Sequence, residues 1–169
     1  MLRISSVAFA ALAAGVLVAT IVDIRTRRIP NALTATMAGL GIGFAAAGIS
    51  GISLGAAALG LLVGFTLMLP GHALGATGAG DVKLMAAVGA IVGPGIVVNA
   101  FLFTALAGGV LALIVAMRRR RFKATLAGTA RLIAAPSEAR QDVKSAAASR
   151  RFAYGPAIAI GSVLATLVG

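Results

Sequence analysis

Cysteine is missing from this 169-residue chain, and histidine occurs once, as His72. The first absence excludes disulfides, thiolate zinc sites and a cysteine nucleophile. The second leaves a poor foundation for a His-based metal site or a Ser/His triad. Acidic residues are scarce too: four, against 15 basic ones, for a net charge of +11. Charged residues of both signs make up only 11% of the chain, too few for the shell of a soluble domain, and 60% of residues are hydrophobic. Soluble domains hold roughly 45–50% apolar residues. Barrel strands would alternate apolar and polar residues, whereas these apolar runs are continuous. Composition therefore predicts an all-α integral membrane protein. A chain this basic can also bind nucleic acid. Here the basic residues gather beside apolar runs, as they do on the cytoplasmic side of a membrane, so anionic lipid rather than nucleic acid is the expected partner of that charge.

Crossing roughly 30 Å of hydrocarbon takes about 20 apolar residues in a helix. The first such run covers about 4–22 and stops at Asp23, with Arg25, Arg27 and Arg28 beyond it and only Arg3 before it. That asymmetry predicts a retained helix with a cytoplasmic C-terminal end rather than a cleaved signal. The next apolar stretch divides at "GISGISLG" (Gly48 to Gly55) into spans near 32–48 and 54–70, the second closed by Pro70-Gly71. The 34 uncharged residues after Lys83 would form a helix of about 50 Å, too long for one crossing. They split either at "GPG" (Gly93 to Gly95) or nearer Asn99, and we take spans of 82–98 and 99–117. A basic loop, 118–151, carries ten Lys or Arg and two acids, and a last span covers about 152–168. Six transmembrane helices then place every basic loop on the cytoplasmic side and both termini on the other. The expected organisation is a single six-helix domain over 1–169.

Glu138 and Asp142 lie in the basic loop and read as solvated counter-charges. Asp23 and Asp81 differ, because each marks the boundary of a span and the topology puts both on the cytoplasmic face. An acid at membrane depth costs about 2.5–3.5 kcal/mol on insertion scales, so it has a task or a partner. Separately, each has a structural explanation: Asp81 as an N-cap, Asp23 in an ion pair with Arg27. Together they suggest chemistry. If the outer turn is Gly93-Pro94-Gly95, Asp81 lies below the cytoplasmic surface, inside the bundle; a turn near Asn99 leaves it closer to the headgroups. Two close carboxylates can share one proton. The ionised member then takes a proton from water while the other donates to a scissile carbonyl, which is peptide hydrolysis without metal or covalent intermediate.

Three stretches in order, "DIRTRRIPN" (Asp23 to Asn31), "GAGDVKL" (Gly78 to Leu84) and "FAYGPAIAIG" (Phe152 to Gly161), resemble the type IV prepilin peptidases, integral-membrane aspartic proteases with a GxGD motif. The resemblance implies that Asp23 and Asp81 are the catalytic pair. Gly78, Gly80, Lys83, Arg25, Pro30 and Asn31, within the first two motifs, are the expected substrate-binding or site-shaping residues. The expected substrates are prepilins, with pseudopilin precursors as further partners, cut on the cytoplasmic side just before their hydrophobic segment. The expected location is the bacterial inner membrane, multi-pass. Presenilin-type proteases share GxGD, but in them a tyrosine precedes the first aspartate, where this chain has Val22. Long prepilin peptidases carry a cysteine-bearing cytoplasmic domain between the first two helices and also N-methylate their product. With nine residues there (Asp23 to Asn31) and no cysteine, this chain resembles the short forms serving Flp-type, tight-adherence pili. Proteolysis with no cofactor and no metal is expected, without methyl transfer.

Arg118 to Arg121 read as an anchor on anionic lipid. Phe122, Leu126 and Ile133 have the spacing of an interfacial amphipathic helix. Lys83 at a helix start reads as a snorkelling side chain that could also tune the aspartates, and His72 as structural or interfacial. An alternative function is a proton- or cation-coupled transporter or channel subunit. It would need acidic groups along a path, and the outer half of the chain carries none.

Overall fold

A computed structural model describes residues 4–118 and 154–169, and among these residues it is entirely helical, with no strand. Five helices follow in order: α1 Ser6–Thr26, α2 Asn31–Ala46, α3 Leu54–Ala73, α4 Ala79–Arg118 and α5 Gly155–Val168. α1 and α3 are long and apolar enough to cross a membrane, as is the Ala79–Leu111 stretch of α4 by length and composition, although it is broken at Gly93; α2 and α5 are shorter apolar helices.

Local chemistry explains the boundaries. Ser5 and Ser53 cap α1 and α3, their hydroxyls accepting from the N–H groups of Ala8 and Ala56 at 3.2 and 3.1 Å, which satisfies donors left free at a helix start. α1 runs through Asp23 to Thr26 and ends at Arg27, whose left-handed φ of 53° turns its N–H onto the Asp23 carbonyl at 2.8 Å. Asp23 therefore belongs to the last turn of the helix instead of following it. Pro30 then opens α2 from an extended conformation, where a missing N–H costs nothing. α3 does not stop at Pro70-Gly71 but continues to Ala73. Proline so near the end removes one bond to the preceding turn, and its own carbonyl still accepts from Leu74 N–H at 3.0 Å.

The largest departure concerns α4, which is interrupted at Gly93, with φ 81° and ψ 175°, instead of passing through to the 98/99 boundary. That backbone region is open almost only to glycine, and Pro94 cannot continue the preceding hydrogen-bond ladder. The chain reverses there. Gly93 lies beside Ile52, and Ile96 beside Gly169, while Gly108 lies beside Tyr154 and Gly155 beside Asp23. Ser5 N–H donates to the Ser50 carbonyl at 3.0 Å. One end of the bundle thus gathers Ser5, Ser50, Gly93 and Gly169, the other Asp23, Asp81, Gly108 and Tyr154. The described helices make six runs between these ends, two of them within α4.

The first half of α4 is the axis of the fold. Every residue from Leu84 to Gly93 is buried, as expected of a helix that is apolar all round. α3 approaches it closely: a β-carbon on Gly60 would collide with the Gly89 carbonyl oxygen, and one on Gly64 with that of Met85. α5 packs along the second half, with Gly161 against Thr104 and Ala100. Outward, Leu17, Leu62, Leu102, Leu106 and Leu167 are among many large apolar side chains left exposed. The basic loop 118–151 and the helical spacing of Phe122, Leu126 and Ile133 fall outside the described residues, as do Phe152 and Ala153.

Candidate functional site

Asp23 and Asp81 are buried, at 5% and 7% exposure, and are the charged residues so enclosed among those described. They reach the same end of the bundle from different directions, one in the last turn of α1 and the other in the first turn of α4. α4 begins two residues before Asp81, so its aspartate is not the N-cap. It occupies the third helical position, and its Oδ2 accepts from the Gly78 N–H at 2.8 Å. That is the returning half of a capping box, in which an acid at the third position satisfies the amide of the cap residue.

Asp23 has a partner that no local pattern would suggest. Its Oδ2 accepts from the Gly155 N–H at 2.8 Å, across 132 residues of sequence. Gly155 opens α5, so the carboxylate lies at the positive end of a helix whose first amides lack internal acceptors. Arg27, four residues on, contributes its backbone N–H to the Asp23 carbonyl, and its side chain is exposed. Each carboxylate is thus held through one oxygen by a glycine amide.

The expected site-shaping residues gather here in two groups. Gly78 supplies the amide to Asp81, and Gly80 lies against Ile29, where a β-carbon would come within 3.0 Å of the Ile29 side chain. Ile29 is buried between exposed Arg28 and Pro30, so the α1–α2 turn is pinned onto the start of α4. Lys83 Nζ donates to Asn31 Oδ1 at 2.8 Å, joining α4 to the first residue of α2. Arg25 and Pro30 are exposed at the same end, where the structure gives neither a contact with the carboxylates. His72 is exposed, its Nδ1 3.0 Å from the Thr77 carbonyl oxygen, bracing the short loop that ends in Gly78. Among the described residues no group of three His, Cys, Asp or Glu could hold a metal ion.

Two residues of the site were not singled out from the sequence. Gly155 holds Asp23, and Tyr154 packs over Gly108 with its hydroxyl and ring close to that glycine. The signal was present in the "FAYGP" stretch, but nothing in it says which amide faces which acid.

Such an arrangement, two enclosed acids at one end of an apolar bundle, each held by a backbone amide, suits water activation. Neither the curated proteins nor the solved structures include a significant match to this chain. The profile of the type IV leader peptidase family matches residues 10–113. That span holds both aspartates and their flanking motifs, and leaves α5 with its Gly155 amide outside. Since the match covers more than half of its length, the chain belongs to the type IV leader peptidase family, a family of proteases.

Proposed function

We propose that this protein is a membrane-embedded aspartic endopeptidase that removes the leader peptide from Flp-type prepilins at the cytoplasmic face, with Asp23 and Asp81 as its catalytic pair. The observation that carries this reading is the convergence of the two enclosed carboxylates, each fixed by a backbone amide, at one end of the bundle. Six crossings, with both termini outside and the pair on the cytoplasmic side, follow from the six runs together with Arg25, Arg27 and Arg28 at the aspartate end. The location is then the bacterial inner membrane.

Anchoring one oxygen of each carboxylate leaves the second to hold water. The ionised member takes a proton from that water, and the hydroxide attacks the scissile carbonyl carbon as the protonated member gives its proton to the carbonyl oxygen. The resulting diol breaks its C–N bond. The proton first taken from water passes to the departing amine, and a diol hydroxyl returns its proton to the second carboxylate. Exposed glycines at Gly78 and a half-buried one at Gly80 let a substrate backbone come close beside Asp81.

The test is leader cleavage of a co-expressed Flp-type prepilin in membranes, read by gel mobility and N-terminal sequencing. Asp23→Asn and Asp81→Asn should each accumulate normally and lose cleavage by about 10²–10⁴-fold, the usual range for a lost general acid or base. Cleavage persisting in either variant would remove the pair from the mechanism and return attention to proton or cation transport. For transport the fold offers little, since the other buried polar side chains among the described residues are the hydroxyls of Thr34, Ser50, Thr104 and Ser162.

A further inference from the structure

The helices that carry the two aspartates barely touch each other. α1 packs chiefly on α5 and α2, and meets α4 only sparingly, whereas α2 and α4 are extensively packed. The approach of Asp23 to Asp81 is therefore set through intermediaries. One is α5, whose Gly155 amide holds Asp23. The other is the α1–α2 turn, which leaves Asp23, reverses at the left-handed Arg27, buries Ile29 against Gly80 and reaches Asn31.

At that last point the turn is tied to α4 by the 2.8 Å hydrogen bond from Lys83 Nζ to Asn31 Oδ1. Asn31 is the first residue of α2, and its amide oxygen is engaged by another helix. Lys83 lies two residues beyond Asp81, so it leaves the helix on nearly the opposite face. Asp81 is buried toward the bundle, and Lys83 is exposed. The two residues bracket one turn of α4: the inner side presents the carboxylate, and the outer side is held to the segment leading back to Asp23.

We propose that Lys83 and Asn31 form a clamp that fixes the spacing of the two carboxylates, acting as positioning residues that do not contact substrate. The proposal rests on the peptidase reading for its kinetic consequence only. A donor with formal charge makes this a strong hydrogen bond of its class, and displacement of a catalytic group by about 1 Å can cost on the order of 10²-fold in rate. Because both side chains are exposed, their removal leaves the buried packing of α2 on α4 in place.

Lys83→Met and Asn31→Leu are the test, singly and combined, in the full chain. Each single variant should lower kcat for leader cleavage by about tenfold to a hundredfold with KM unchanged. The double variant should fall no further than the lower single, since one shared contact is lost once. Asn31→Asp, which offers Lys83 a carboxylate in place of the amide, should restore activity toward wild type. A second readout is independent of catalysis. The chain has no cysteine, so spin labels on Ile24→Cys and Ala79→Cys, both exposed positions, report the α1–α4 distance alone. Their distance distribution should broaden in either clamp variant. A rise in KM with kcat intact, additive losses, or an unchanged distribution would overturn the clamp. A wild-type protein that cleaves no prepilin would sink the peptidase reading, while the label distances would still decide this one.

Discussion

Asp23 and Asp81 are anchored by amides of different origin, and the difference predicts how each tolerates change. The Gly78 amide is three residues from Asp81 and belongs to the same helix start; it forms whenever α4 forms. The Gly155 amide reaches Asp23 only when α5 is docked. At Gly155 a β-carbon would lie 2.9 Å from Asp23 Oδ2 and 3.1 Å from its Cβ, and the neighbour is a side chain that can move. Gly155→Ala should therefore fold and push Asp23 aside, lowering kcat by on the order of 10²-fold with little change in KM. Single-turnover cleavage of a prepilin by purified enzyme, at matched protein levels, would check this. Loss of accumulation instead of activity would show that the position matters for packing rather than for the placement of the acid.

At the scale of elements, the interruption of α4 and its contact with α3 carry most of the geometry. From Ala79 to Val92 the helix is about 21 Å long at 1.5 Å per residue, short of the roughly 30 Å hydrocarbon core. In the proposed topology, a helix that turns back at Gly93 near the far end would hold Asp81 below the opposite face, within the bundle. Gly93→Ala would force a β-carbon into a backbone region nearly restricted to glycine and should destabilise the fold by about 1–3 kcal/mol, although space for the carbon exists, its nearest neighbour being Ile52 at 3.6 Å. Gly60→Ala should be worse, because the added carbon meets the Gly89 backbone, and neither helix can yield without separating. Gly39→Ala, with nothing within 4 Å, serves as the control and should cause no loss. Thermal unfolding in detergent micelles, followed by helical circular dichroism, would rank the three.

Among the described residues, the charged side chains gather at one end of the bundle, and its sides are apolar. Leu106, at 67% exposure, and Leu62, at 59%, are placed on the outside, where a soluble protein would put polar residues and a bilayer would cover hydrocarbon. Leu106→Arg should cost about 2.5–3.5 kcal/mol of insertion free energy and reduce the membrane-inserted fraction. Carbonate extraction of membranes would measure it, and undiminished insertion would argue against lipid on that face. The proposed topology makes its own prediction: a reporter active only outside the cytoplasm should be active when fused after Gly169 and silent when fused within the 74–78 loop.

Composition by itself determined the class of this protein. With 60% hydrophobic and 11% charged residues, burial could be achieved only by apolar helices facing one another and lipid. The scarcity of acids then isolated Asp23 and Asp81, because carboxylates so expensive in an apolar setting stand out without any knowledge of the fold. The glycine-rich turn at Gly48 to Gly55 was legible for a different reason, since turn chemistry acts within a few residues, whereas Ser5 and Ser53 emerged as caps only in the structure. The place of the α4 reversal was not legible, since Gly93 and the Asn99 region both offered a break, and only packing against Ile52 and α3 selected the first. Nor could the sequence reveal that Gly155 would hold Asp23, or that Lys83 would reach Asn31. Those contacts join residues far apart in the chain, and their geometry depends on how closely glycine-faced helices approach. Local chemistry decides where helices begin and end, whereas the distance between two carboxylates on different helices is decided by every contact that packs those helices together.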